Sequence, residues 1–158
     1  MVEDAAVDEI LVRVGNGIGL GASGHRAEAR RLLQTVWQDI GGEAGDALHR
    51  CAVAHALADV QDEPADELRW DVRALAAAGM LTDDRLTRAG MPGTAAGVLP
   101  SLHLNLGDCY RRLGELANAR EQLAAGIATL AAMESSGYRA MVEEGLHRLR
   151  RRLEASSP

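Results

Sequence analysis

Apolar residues recur at helical spacing along most of the chain, and glycine or proline marks the turns between the periodic segments. The clearest case places Leu102, Leu106 and Cys109 on one face of a segment that ends at Gly114, where a second apolar stripe begins. Glycine suits this break because it tolerates the positive φ at which one helix stops and another starts. The pattern therefore predicts a helical hairpin over about residues 99–133.

Two earlier hairpins are predicted from the same pattern. The first covers about residues 4–40 and turns at Gly24, and the second covers about residues 46–79 and turns just before Pro64. Proline fits the first turn of a helix, where its missing N–H costs nothing. Three features of the first hairpin recur 90 residues later in the third: Gly24 and Gly114, Ala29 and Ala119, and Leu33 and Leu123. Such internal similarity is typical of helical-repeat proteins.

Two further segments complete the predicted architecture. Residues 81–98 interrupt the repeat, with a short helix expected from Thr82 to Ala89 before a Gly/Pro-rich stretch. A final amphipathic helix over residues 138–155 would cap the exposed end of a stack. We therefore expect residues 1–158 to form one all-α domain of three hairpins, an irregular insert and a capping helix.

The composition favours a helical core over a β-sheet. Aromatic residues make up 3% of the chain and Phe is absent, so Leu, Ala, Val and Ile must build the core. Alanine has the highest helix propensity, whereas strands are enriched in β-branched and aromatic residues.

The charge balance argues against nucleic acid as a partner. The net charge is −6, and the first 80 residues carry seven Arg against fourteen acidic residues. An acidic chain without a basic face repels phosphate backbones. No apolar run reaches the length that spans a membrane, and no signal-peptide pattern is present. We therefore expect a cytoplasmic protein with two free thiols, Cys51 and Cys109.

A glycine-rich motif offers a nucleotide-binding alternative. Gly19, Gly21 and Gly24 match the spacing of a dinucleotide-binding loop, and residues 10–14 before them resemble a strand. No later segment reads as a parallel strand, however, and a single strand makes no sheet. The favoured interpretation is a glycine-rich helix that ends at a turn.

A metal site is a second alternative. Cys51, His55 and Asp59 share one helical face and are ligand types that Zn²⁺ accepts. The simpler interpretation is a half-buried small residue, a polar helix edge and a capping acid. No catalytic signature surrounds Ser23 or either cysteine. We predict no enzymatic activity and no cofactor, and an enzyme using His49, His55 and Asp59 is the least favoured hypothesis.

The third hairpin resembles a tetratricopeptide repeat (TPR), a helical hairpin of about 34 residues. The family's order of Leu-Gly, Tyr, Gly, an apolar residue and Ala is matched by Leu106-Gly107, Tyr110, Gly114, Leu116 and Ala119. His103 departs from the family, which has a bulky residue there. The chain as a whole is similar to short stand-alone TPR proteins of GC-rich actinobacteria. This resemblance implies a right-handed α-α superhelix whose A helices line a concave groove for a peptide or partner protein.

The candidate binding residues lie mainly on the first helix of the third hairpin. The predicted partner-binding set is Ser101, Asn105, Asp108, Arg111, Arg112, His49 and Trp70. Either arginine could take a carboxylate from a partner. A solvated face with an i,i+4 pair between Asp108 and Arg112 is the simpler interpretation. Trp70 could anchor a partner or pack on a neighbouring helix.

The predicted function is that of a protein-interaction adaptor. Its partner would be a peptide, another protein or a second copy of the chain, with no nucleic acid and no membrane. The alternative is a small-molecule-sensing or regulatory module in which residues 81–98 act as a lid.

Overall fold

The computed structural model describes residues 7–156, and within this range the chain is all-helical, with no strand. The helices are α1 Glu9–Ala22, α2 Arg26–Asp39, α3 Ala47–Asp59, α4 Pro64–Ala78, α5 Asp83–Arg88, α6 Leu99–Arg112, α7 Leu116–Thr129 and α8 Gly137–Ala155. Short 3₁₀ turns occupy Gly42–Ala44, Ala96–Val98 and Leu130–Ala132. The all-α prediction is confirmed.

The chain divides into two compact units, Met1–Pro92 and Gly93–Pro158. The first unit holds α1 to α5, and the second holds α6 to α8. The predicted insert over residues 81–98 is therefore divided, because α5 belongs to the first unit and the 3₁₀ turn Ala96–Val98 belongs to the second.

In the first unit, α1 packs on α2, α3 packs on α4, and α3 also contacts both helices of the first pair. Leu33 of α2 is fully buried at the centre of the core that these helices share. Gly17 of α1 lies directly against it, since an ideal Cβ on Gly17 would come within 2.7 Å of two Leu33 side-chain carbons. The glycine therefore lets two helices approach closely.

The nucleotide-binding alternative is wrong in its central feature. Residues 10–14 are the first turns of α1 and form no strand. Gly19 and Gly21 belong to the same helix, and Gly24 takes a φ of +88° in the turn that follows. The glycine spacing reflects a helix and its end.

The face that α4 turns to the core differs from the predicted one. Hydropathy predicts an inward stripe of Leu68, Val72 and Leu75, but Val72 is 46% exposed. Ala74 and Ala77 are fully buried instead. Small side chains allow α3 and α4 to pack closely, which explains why alanine takes the inward positions.

Two arginines of α2 bind main-chain carbonyls at the C-terminal end of α3. Arg30 donates from Nε and Nη2 to the Val60 carbonyl at 3.1 and 2.7 Å. Arg26 donates to the carbonyls of Asp59 and Gln61 at 3.1 and 2.7 Å. Since α3 has no basic residue in its own last turn, these cations complement the negative end of its dipole from a neighbouring helix.

In the second unit, α6 and α7 pack together and α8 packs on both. Gly107 of α6 lies where a Cβ would come within 2.6 Å of Leu149, and Gly126 of α7 is placed similarly against Leu146 at 2.8 Å. The core face of α8 is Val142, Leu146, Leu149 and Leu153, which are all buried. Hydropathy alone would also place Met141 on that face, but it is 61% exposed, because the regular spacing of Leu146, Leu149 and Leu153 selects position 142.

Candidate functional site

A cluster of charged side chains forms around Asp108 on α6. Arg111 donates from Nε and Nη2 to Oδ1 of Asp108 at 3.0 and 2.8 Å, and Arg112 donates from Nε to Oδ2 at 3.0 Å. Nη1 of Arg152, from α8, lies 3.6 Å from Oδ1. Three guanidiniums from two helices thus converge on one carboxylate, and we call these four residues the Asp108 cluster.

The other predicted residues of α6 share a helical face with Asp108. Ser101, Asn105 and Asp108 follow one another at i, i+4 and i+7, and all three are half-buried. The Ser101 hydroxyl donates to the Val98 carbonyl at 3.1 Å, so it helps to close the first turn of the helix. The face is polar and partly open, which leaves it accessible at its Asp108 end.

Sequence reasoning missed Arg152 as a member of this site. It belongs to a run of arginines near the end of α8, where cations complement the helix dipole. Its relation to Asp108 arises because α8 folds back on α6, and no local sequence pattern records that contact.

His49, a second predicted residue, lies in an ionic network in the first unit. Asp8 and Asp46 are the N-caps of α1 and α3, and each accepts two backbone N–H groups of its helix. The His49 Nε2 donates to Asp8 at 2.8 Å. Arg85 of α5 reaches both carboxylates, with Nε 3.1 Å from Asp46 and Nη2 3.6 Å from Asp8. The network therefore fastens α5 to the N-terminal ends of two helices.

The pKa values of the Asp8 and Asp46 carboxyls reflect this network. Burial acts to raise the pKa of the Asp8 carboxyl, but hydrogen bonds from His49 and the Leu11 N–H, with the charges of His49 and Arg85, lower it overall. Burial likewise opposes the shift at Asp46, whose pKa is lowered by the Arg85 hydrogen bond, the His49 N–H and the Arg85 charge. Both carboxyls thus hold their charge more strongly in the folded protein.

Acidification should weaken the first unit through these two carboxylates. Their stabilising contribution is complete above the ordinary pKa of 3.8 and is lost as the pH falls below it, because the unfolded chain then binds more protons. We expect the urea midpoint to drop between pH 6 and pH 3, and to drop less in an Asp8→Asn/Asp46→Asn variant. Asparagine keeps the N-cap but cannot titrate. Tryptophan fluorescence in urea measures this. Asp84→Asn, which removes an exposed acid, is the control, and its urea midpoint should drop as much as that of the wild type. An equally large drop in the Asp8→Asn/Asp46→Asn variant would show that these two carboxylates do not cause the loss of stability.

Trp70, a third predicted residue, is a packed side chain and not an exposed anchor. Its ring meets that of Trp37 edge to face, with ring centroids 5.1 Å apart. The Arg73 guanidinium lies 4.5 Å from the Trp70 centroid and 5.9 Å from the Trp37 centroid. Of the two interpretations of Trp70, the structure shows packing on a neighbouring helix.

The metal-ligand alternative on α3 has one unsuitable member. The Cys51 thiol is buried, and that burial raises its pKa to about 11. Such a thiol stays protonated at neutral pH, whereas metals and electrophiles react with the thiolate. His55 Nε2 lies 4.0 Å from Asp59, at the outer limit of an ion pair. The geometry favours a structural role for this face of α3.

Among residues 7–156, none of the helices combines the length and the apolar character needed to cross a bilayer.

Comparison with other proteins does not add to these sites. Searches with family models, against curated proteins and against solved structures give no match for this chain.

Proposed function

We propose that this chain is a protein-interaction adaptor that binds an acidic segment of a partner at the Asp108 cluster. The proposal includes the finer architecture expected from the TPR-like motif, a right-handed stack of helical hairpins whose A helices, α6 among them, present the binding face. The observation that carries it is the convergence of Arg111, Arg112 and Arg152 on a single carboxylate. A guanidinium fork matches the geometry of a carboxylate and can bind it in a bidentate manner.

The distribution of charge supports an acidic partner at this position. The first unit carries nine Arg against sixteen acidic residues, whereas the second carries eight Arg against seven. The field of the first unit repels an acidic segment, and the second unit lacks that repulsion. An acidic partner is therefore directed to the second unit, where the arginines concentrate around Asp108.

Asp108 acts in this proposal as an internal competitor. It occupies the position that a partner's carboxylate would take, with Arg111 giving it two of its five N–H groups. The side chains of Asp108 and Arg111 are 33% and 23% exposed, so the pair is open to exchange. A partner with several carboxylates can displace Asp108 or add a second acceptor beside it.

Binding of an acidic peptide should change in opposite directions in two variants of this cluster. Asp108→Asn removes the competing charge and should tighten binding, while Arg111→Ala should weaken it by roughly 10- to 150-fold, since a hydrogen bond to a charged group contributes about 1.5–3 kcal/mol. Fluorescence anisotropy with a labelled peptide rich in Glu and Asp measures both effects. A labelled peptide of the same length, with Gln and Asn in place of Glu and Asp, is the uncharged control probe.

Arg148→Ala provides the matched control, because Arg148 is an exposed arginine of the same unit and its loss removes the same charge. It should leave the affinity within about two-fold of wild type, as expected for a single screened surface charge. Absence of saturable binding, or equal weakening by Arg148→Ala and Arg111→Ala, would show that the cluster is only a structural ion-pair group.

A further inference from the structure

Arg50 of α3 is a buried cation whose hydrogen bonds are incomplete. The residue is 8% exposed. Its Nη2 donates to Oε2 of Glu43 at 3.0 Å, and its Nη1 points to the thioether sulfur of Met80 at 3.6 Å. Its Nε is buried and has no hydrogen-bond partner within the described residues. Buried charges are normally paired and fully hydrogen-bonded, so this arginine is short of acceptors.

Glu43 does not make up the shortfall, because it serves two cations. Its Oε1 lies 3.0 Å from Nε of Arg73, while its Oε2 binds Arg50. One carboxylate thus stands against two guanidiniums. Its side chain is 57% exposed and belongs to the 3₁₀ turn Gly42–Ala44, so water weakens its charge at both contacts.

Met80 occupies the position at Arg50 where an oxygen acceptor would be expected. A thioether is a weak acceptor and carries no charge to balance a guanidinium. Met80 is 65% exposed and lies just beyond α4, and its side chain is unbranched and adaptable. It can leave Arg50 without disturbing the core of the unit.

Arg73 presents a second guanidinium beside this position. Its stacking over Trp70, and its pair with Glu43, hold the planar group in one orientation. The side chain is 41% exposed, so an incoming ligand can reach it. The site thus has a buried cation, an open cation and a displaceable side chain.

We infer that Arg50 and Arg73 form a carboxylate-binding site in the first unit, in which the carboxylate replaces the Met80 thioether at Nη1 of Arg50. The ligand supplies a negative charge, and at Nη1 it supplies an oxygen acceptor in place of the weak thioether. The carboxylate is that of a free organic acid or of a peptide C-terminus, and the two sources share the chemistry recognised by a guanidinium fork. This site does not depend on the function proposed for the Asp108 cluster.

The chain contains its own reporter for the test. Trp37 and Trp70 are its two tryptophans, and both lie next to Arg73. Titration of the wild-type protein with sodium succinate, at constant ionic strength adjusted with chloride, should change tryptophan emission with a saturable curve. A peptide with a free C-terminal carboxylate and the same peptide as its amide form the second arm. A response to the acid peptide well above that to succinate identifies a peptide ligand, and the reverse identifies a free acid.

Three variants then locate the binding. Arg50→Met, which keeps an unbranched apolar stem and removes the charged guanidinium, should abolish the saturable change. Met80→Ala should tighten binding several-fold by removing the side chain that the ligand must displace. The control Arg31→Ala, at an exposed position of α2, should bind as the wild type does.

Each outcome decides the inference. It is overturned if neither succinate nor the acid peptide gives a change beyond that of chloride, or if folded Arg50→Met binds as tightly as the wild type. Circular dichroism checks the fold of each variant. If Arg50→Met does not fold, Met80→Ala decides, and an unchanged or weakened affinity in that variant overturns the inference.

Discussion

Replacing Leu33 by alanine should lower the free energy of unfolding of the first unit by about 2–5 kcal/mol, the range for large-to-small changes in a packed core. Leu33 is fully buried and lies where α1 and α2 meet the next helix pair. Truncation of this side chain leaves a cavity in the core. The surrounding residues cannot all move in to fill it, because Val36 and Val53 are held on different helices. Both the lost burial and the cavity contribute to the cost.

Urea unfolding followed by tryptophan emission measures this effect, since both tryptophans lie in the first unit and report on it alone. Ile18→Ala is the control, because Ile18 is 52% exposed on α1 and its truncation leaves no cavity. That variant should stay within about 0.5 kcal/mol of the wild type, as surface changes usually do. Equal losses in Leu33→Ala and Ile18→Ala would mean that the core is not organised around Leu33.

Two glycines of α1 should respond to alanine with opposite signs. In Gly17→Ala the new Cβ would stand 2.7 Å from Leu33, whose Cγ and Cδ2 must both move, and overpacking of this kind costs about 1–3 kcal/mol. In Gly15→Ala the new Cβ meets no atom within 4 Å. There alanine only improves helix propensity, and we expect a gain of about 0.5–1 kcal/mol.

The same urea measurement tests this pair, and each variant serves as the control for the other because the chemical change is identical. Gly19→Ala, also in open space, should follow Gly15→Ala. A Gly17→Ala/Leu33→Ala double variant should lose less than the sum of the single losses, because the new methyl group fills part of the cavity. If the double variant lost as much stability as the two single variants together, Gly17 and Leu33 would not be in contact.

The helices could be predicted from the sequence because their signals are local. The turn at Gly114 and the apolar spacing that leads up to it lie within a few residues of each other, and α6 begins at Leu99 as predicted. The inward face of α4 could not be predicted, because hydropathy favours Leu68 and Val72 over Ala74. The inward face of α4 depends on how closely α4 approaches α3. The spacing of apolar residues within α4 gives no information on that distance.

The charged sites were harder to predict for a related reason. The i,i+4 pair of Asp108 and Arg112 is predictable from the sequence, but Arg152 joins it only through the packing of α8 on α6. Arg85 likewise lies 39 residues from Asp46, which it binds. Contacts of this kind depend on the tertiary fold, and a single sequence carries no pattern for them.

The arginine contacts between α2 and α3 have a consequence for how this protein can change in evolution. The acceptors of Arg26 and Arg30 at the end of α3 are main-chain carbonyls of Asp59, Val60 and Gln61. Every amino acid has such a carbonyl, so substitutions at those three positions keep the acceptors in place. Of the side chains at this junction, only the two donors and Asp62 are specific, since the Asp62 carboxylate accepts from Arg30 Nη2 at 2.7 Å and lies 3.5 Å from Arg26 Nε. Related sequences should therefore drift at positions 59–61 while retaining arginine at 26 and 30 and an acidic residue at 62.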